Sequence, residues 1–200
     1  MTDWDSLRAE LLSLAQADAT LRAELAADGS LFQGYHPRMQ ALHDANGARL
    51  SAILQIYGWP GYAQVGVEGA EAAWLIVQHA IAQPALQRRA LGLIQTAVRA
   101  SNADPLHAAM LEDRIRGLEG RPQLYGTQFD WDASNQLTPL PIEDPDGVDR
   151  RRAALGLPPL AIELANRRRA MATGPERPPA DWGARQQEIE AWCREVGWRD

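Results

Sequence analysis

Cysteine is almost absent: Cys193 is the only one in 200 residues. That excludes an intrachain disulfide and leaves no cysteine-based zinc pattern. It suits a reducing compartment, and the expected location is cytoplasmic. Aromatic residues other than tryptophan are scarce, with two Phe and four Tyr against seven Trp. Much of the core must then be Ala and Leu, which favours packed helices over strands rich in β-branched and aromatic residues. A basic excess is missing as well. The net charge is −6 and the pI near 5.2, the reverse of a nucleic-acid footprint, so no nucleic-acid partner is expected. Long apolar runs are also lacking. The longest strongly apolar one, Ala72 to Val77, is far too short to span a bilayer. The opening MTDWDSLRAELL carries acids where a signal peptide carries basic residues. No membrane partner is expected.

What is present reads as helix after helix. With a hydrophobic fraction of 46%, the chain can bury a real core. The expected fold is all-α: one main helical domain over 1–172, a Pro-rich tether over 173–183, and a C-terminal helical segment over 184–200. Leu7, Leu11, Leu14, Leu21 and Leu25 repeat at helical spacing in a first helix over about 4–27, which Asp3 or Asp5 can cap. Pro37 is placed to open a second helix that ends at YGWPGY (57–62). The third helix, expected over 68–83, is apolar nearly all round and predicts a central, buried element. A fourth starts at Pro84. A fifth follows with Asp104 as cap, Pro105 in the first turn and Gly120 at its end. Residues 119–147 read as a long irregular loop, a length that is uncommon in a compact domain unless the loop has work to do. Two short helices near 148–155 and 159–171 precede the tether. No strand pair is predicted.

Inside the apolar third helix stand Gln78 and His79. A buried polar group without a partner costs about 1–3 kcal/mol, so each needs a hydrogen bond. His79 reads either as a satisfied core histidine or as a shielded general base. On the fifth helix Ala108, Leu111, Ile115 and Leu118 form one stripe, with Arg114 on its flank and Asp113 on the far side. Arg114 suits a two-pronged contact with an anionic group, and Asp113 suits orienting a histidine. The alternative is a solvated face. RPQLYGTQFDWD (121–132) follows directly, and its Gln123, Tyr125, Thr127 and Gln128 offer uncharged donors and acceptors that read a ligand or cap helix ends.

No metal site is predicted, because His36, His43 and Asp44 match no ligand spacing such as HExxH. No cofactor is predicted either, since neither a phosphate-cradling Gly loop nor a dinucleotide fingerprint occurs. Cys193 has no histidine near it in sequence to activate it. The arginine runs at 150–152 and 167–169 fan over roughly 200° on a helix, so they read as surface ion pairs, with one of Arg150–Arg152 able to reach a site under the long loop.

Three stretches taken in order, GWPGYAQVGVEGAEAAWLIVQHA, LEDRIRGLEGRPQLYGTQ and PLPIEDPDGVDRRRAALGLPPL, resemble an uncharacterised bacterial family known only as a domain of unknown function. The resemblance covers roughly 38–161. It implies that Trp59, Gln78, His79, Asp113, Arg114, Gln123, Tyr125, Gly126, Thr127 and Gln128 belong to the family's signature, but it implies no activity. The family pattern often has an acid soon after the Gln-His pair, where this chain has Ala80 and Ile81.

Two functional expectations follow. The first is a small-molecule-binding protein or cofactor-independent enzyme with hydrolase-like or other proton-transfer chemistry. In it His79 and Asp113 are catalytic, and Arg114, Gln78, Gln123, Tyr125, Thr127 and Gln128 bind substrate in a pocket closed by the 119–147 loop. The second is a protein-interaction module of immunity or adaptor type, in which these polar residues form a structural network and the acidic surface and the tail tryptophans Trp182, Trp192 and Trp198 contact a partner.

Overall fold

A computed structural model describes residues 3–32 and 34–200. Among them are eight α-helices and one two-stranded sheet, divided between two compact units, Met1–Ala108 and Ala109–Asp200. No helix of the described residues is long and apolar enough to cross a membrane.

The first unit holds α1 (Trp4–Ala27), a 3-10 turn at Ser30–Phe32, α2 (Pro37–Tyr57), α3 (Tyr62–His79), α4 (Pro84–Arg99) and the start of α5 (Pro105–Leu118). α1 begins as its capping pattern requires, with the Asp3 carboxylate accepting the Ser6 amide. It packs chiefly on α3 and also on α2, burying Leu7, Leu11 and Leu25 against Met39, Leu50, Ile53, Ala73, Ile76 and Val77. The chain has no lysine, so every ion pair with a basic side chain other than histidine uses the forked arginine head, as in Arg49–Glu10 and Arg38–Glu24.

α3 departs from its expected limits of 68–83. It starts six residues earlier and is interrupted at Gly66, whose φ of 69° is one that glycine adopts without penalty. It stops at His79 because the chain turns through Ile81 before Pro84 opens α4. His79 is therefore the last residue of a helix and not a mid-helix residue.

The second unit holds the rest of α5, then β1 (Phe129–Trp131), β2 (Leu137–Pro139), α6 (Val148–Ala153), α7 (Leu160–Thr173) and α8 (Trp182–Glu195). The stretch expected to be wholly irregular contains an antiparallel hairpin in the register Phe129↔Pro139, Asp130↔Thr138, Trp131↔Leu137. Its turn is fixed by Asp132, whose Oδ1 accepts the amides of Ser134 and Gln136 at 2.8 and 2.9 Å. The C-terminal helix is docked on its own unit. Trp182 Nε1 donates to the Trp131 carbonyl at 2.8 Å, Arg185 pairs with Asp130, and Arg199 donates to the carbonyls of Gly117 and Leu118 that end α5. Cys193 of this helix and Trp198 just after it are buried.

Candidate functional site

In the first unit, α1, α2 and the end of α3 bring one polar side chain each to a common point. On α1 the buried stripe runs Leu7, Leu11, Asp18, Leu25, so a carboxylate holds a position that helical spacing gives to the core. On α2 the stripe Met39, His43, Asn46, Leu50 does the same with an imidazole and an amide. Oδ2 of Asp18 lies 2.8 Å from Nδ1 of His79 and 2.9 Å from Nε2 of His43. The two imidazole rings are 5.0 Å apart between centroids. Nδ1 of His43 in turn lies 2.9 Å from the Tyr35 hydroxyl. The result is a connected line, Tyr35–His43–Asp18–His79, buried at Asp18 and His43 and reaching solvent at His79, whose side chain is 23% exposed.

Local architecture holds His79 in place. The last carbonyls of α3 would be left without partners, and the buried Gln87 amide donates to those of Val77 and Gln78 at 2.7 and 3.4 Å. Gln83 donates to the Asp44 carbonyl of α2 at 3.0 Å, passing directly over Gly47, where a β-carbon would meet its amide at 2.5 Å. Gly47 therefore weakens α2 but lets the α3–α4 turn dock on it.

Electrostatics keep the central carboxylate charged. Desolvation pushes the Asp18 carboxyl up, but the close contacts and charge of His43 and His79 outweigh it and hold the group well below its ordinary value. The Tyr35 phenol is pushed well above its ordinary value, first by burial and then by Asp44 and Asp18, so it stays neutral. The remaining histidines stand elsewhere. His36 caps α2 by accepting the Arg38 amide, and His107 stacks on Trp74 at 4.2 Å, its pKa lowered by burial.

One ligand atom from each of Asp18, His43 and His79 lies within 4.8 Å of the others, so these three could hold a metal ion. Spacing alone predicts no metal site, because the three residues come from three different helices.

The other expected site residues, Gln78 apart, belong to the second unit, where hydrogen bonds account for most of them. Asp113 is fully buried and does not wait for a histidine. Its Oδ1 accepts the amides of Leu124 and Tyr125 at 2.6 and 3.1 Å, and its Oδ2 accepts the Thr127 amide and hydroxyl at 3.0 and 2.9 Å. The carboxylate hydrogen-bonded to His79 is Asp18, and Asp113, expected to orient a histidine, clamps the 124–127 loop instead. The buried Arg152 closes the clamp from the other side, donating to the carbonyls of Tyr125, Gly126 and Pro158. Gln123 is likewise internal. Its amide nitrogen donates to the Gln128 and Leu140 carbonyls and its oxygen accepts the Gln128 amide, while the Gln128 side chain donates to the Thr127 hydroxyl. Burial raises the Tyr125 phenol, with Glu112 and Asp113 adding to it, and burial pulls the Arg114 guanidinium down to about 10. Gln78 is buried beside His79 in the first unit. A groove of about 430 Å³ in the second unit, lined by Trp131, Leu137, Arg168 and Met171, contains none of the expected residues.

Asp18, His43 and Tyr35 are the functional candidates that sequence reading misses. The available signal is the polar residue interrupting a leucine stripe at a core position. No curated protein and no solved structure matches the chain. A family match does exist, and it is wider than the three signature stretches, taking in Asp18 on α1 as well as His43 and His79. With residues 5–172 matched, the chain belongs to DUF6624, a family of unknown function.

Proposed function

We propose that the protein binds a small molecule at the exposed edge of His79 and performs proton-transfer chemistry on it, of the hydrolytic class, with His79 as general acid and base. The observation that carries this reading is the 2.8 Å contact between Nδ1 of His79 and the buried Asp18 carboxylate. A carboxylate on Nδ1 fixes the tautomer and the ring orientation, which leaves Nε2 for a substrate proton. The charge of Asp18 also stabilises the imidazolium formed when that proton arrives. His43 and Tyr35 stand behind the carboxylate and hold it in place. No part in binding substrate is proposed for Gln123, Thr127 or Gln128, whose polar atoms are engaged in their own loop.

A protein-interaction role draws little support from the tail tryptophans. Trp198 is buried and the Trp182 indole nitrogen is bonded within its unit.

The test is turnover of a panel of chromogenic esters, amides and phosphoesters by the wild type and by His79→Gln. Hydrolysis of at least one class, reduced about 10²–10⁴-fold in His79→Gln with the melting temperature kept, is the expected result. Turnover that is indifferent to His79→Gln overturns the reading.

A further inference from the structure

We infer that Asp18, His43 and His79 form a binding site for a divalent transition-metal ion of the zinc class. The inference goes beyond the proton-transfer reading and does not need it, because an ion's binding can be measured without any substrate.

The donor set points to this class. Two imidazoles and one carboxylate suit Zn²⁺, Fe²⁺, Co²⁺ or Ni²⁺, whereas Mg²⁺ and Ca²⁺ ask for oxygen donors. Metal–ligand bonds of about 2.0–2.2 Å place neighbouring donor atoms about 3.0–3.5 Å apart around one ion. The observed 2.8 Å and 2.9 Å from the Asp18 oxygen to the two imidazole nitrogens are within a few tenths of an ångström of that spacing. Side-chain adjustment at His79, on the open side, is enough to admit an ion. The protons on the two coordinating nitrogens leave to solvent as the ion enters.

A second observation separates a ligand set from an ordinary buried hydrogen-bond trio. Nε2 of His43 is buried, with its side chain only 7% exposed, and faces Asp18 at ion-pair distance, yet it makes no directed hydrogen bond. A core histidine present only for packing would be aimed at its acceptor. A nitrogen that shares a metal with the carboxylate need not be. The outer contact of a metal-ligating histidine is also in place: the Tyr35 hydroxyl 2.9 Å from Nδ1 of His43 fixes the ring so that Nε2 is the nitrogen turned inward. Three protein ligands leave coordination positions over for water or a ligand, and of the three residues His79 is the one that reaches solvent.

The test strips the full chain with a chelator, dialyses it, and titrates it with Co²⁺ alone, followed by visible absorption and by competition with Zn²⁺. Native mass spectrometry gives the stoichiometry. About one ion per chain is expected, with affinity at least about tenfold weaker in His43→Ala and in His79→Ala. His36→Ala, which alters a helix cap outside the cluster, keeps wild-type affinity. Absence of one-to-one binding, or equal binding by the wild type and both cluster variants, overturns the inference. Should His43→Ala fail to fold, His79→Gln at the part-exposed position and the thermal shift of the wild type decide. Zn²⁺ raises the melting temperature where Mg²⁺ at equal concentration does not, and an equal response to both ions overturns the site. Loss of the metal site leaves the proton-transfer reading untouched, since that is measured as the effect of His79→Gln on turnover in chelated buffer. Binding that persists with turnover indifferent to His79→Gln would instead remove that reading and keep this one.

Discussion

His79 Nδ1 and Asp18 Oδ2 lie 2.8 Å apart across 61 residues of sequence, joining the end of α3 to the middle of α1. The aspartate is buried and the histidine part exposed, so the pair links a carboxylate in the core of the first unit to its surface.

Removing that carboxylate isolates two imidazoles. Asp18→Asn is expected to cost about 1.5–3 kcal/mol of stability at neutral pH, the scale for losing a hydrogen bond to a charged group. Urea denaturation of the wild type and the variant measures it, and a difference below about 1 kcal/mol contradicts the paired geometry.

The same pair makes stability depend on pH, with a sign set by Asp18. Its folded carboxyl sits below the ordinary aspartate value, so the folded state binds the proton less readily than the unfolded chain. Its contribution is complete above the unfolded value and is lost as pH falls through the lower folded value. The denaturation midpoints of the wild type and Asp18→Asn should therefore converge as the solution is acidified below about pH 4. A gap that stays constant down to acid unfolding contradicts this assignment.

Asp113 is expected to matter for the loop and not for chemistry. In Asp113→Asn an amide replaces an acceptor that faces the amides of Tyr125 and Thr127, so donor meets donor. A loss of about 2–4 kcal/mol and faster proteolytic cleavage within 121–128 are expected. Protection equal to the wild type would show that the clamp does not hold the loop.

Gly126 tests the same loop from the backbone. Its φ is 66°, and an added β-carbon would meet Leu160 Cδ1 at 2.8 Å. Gly126→Ala should lose about 1–3 kcal/mol through the strained dihedral and the crowded leucine. A thermal melt matching the wild type would contradict both.

Most of the helical frame is legible in the sequence, and the reasons are local. Asp3, Pro37, Pro84 and Pro105 mark helix starts through their own side chains or rings, and the observed elements begin within a residue or two of them. The short helical stretch from Tyr62 is not legible, because Gly66 breaks the helix after it and the apolar run that marks α3 begins only beyond that break. The hairpin is missed because strands of three residues have too few positions to establish a period of two.

The site is legible only in part. His79 stands out as a polar residue at the end of an apolar run. Asp18 and His43 do not, because reading the leucines at 7, 11, 14, 21 and 25 passes over the aspartate that completes their spacing. Residues 113 and 123–128 look functional for a different reason. Their polar groups are buried to hold a loop together, and composition alone does not separate that role from ligand binding.

The most direct measurement compares turnover per folded molecule in His79→Gln and Asp113→Asn on whichever substrate class the wild type hydrolyses. His79→Gln is expected to lose turnover while keeping its melting temperature, and Asp113→Asn to lose melting temperature while its folded fraction keeps turnover. The opposite pattern, with activity following Asp113 and indifferent to His79, would contradict the placement of the site on Asp18, His43 and His79.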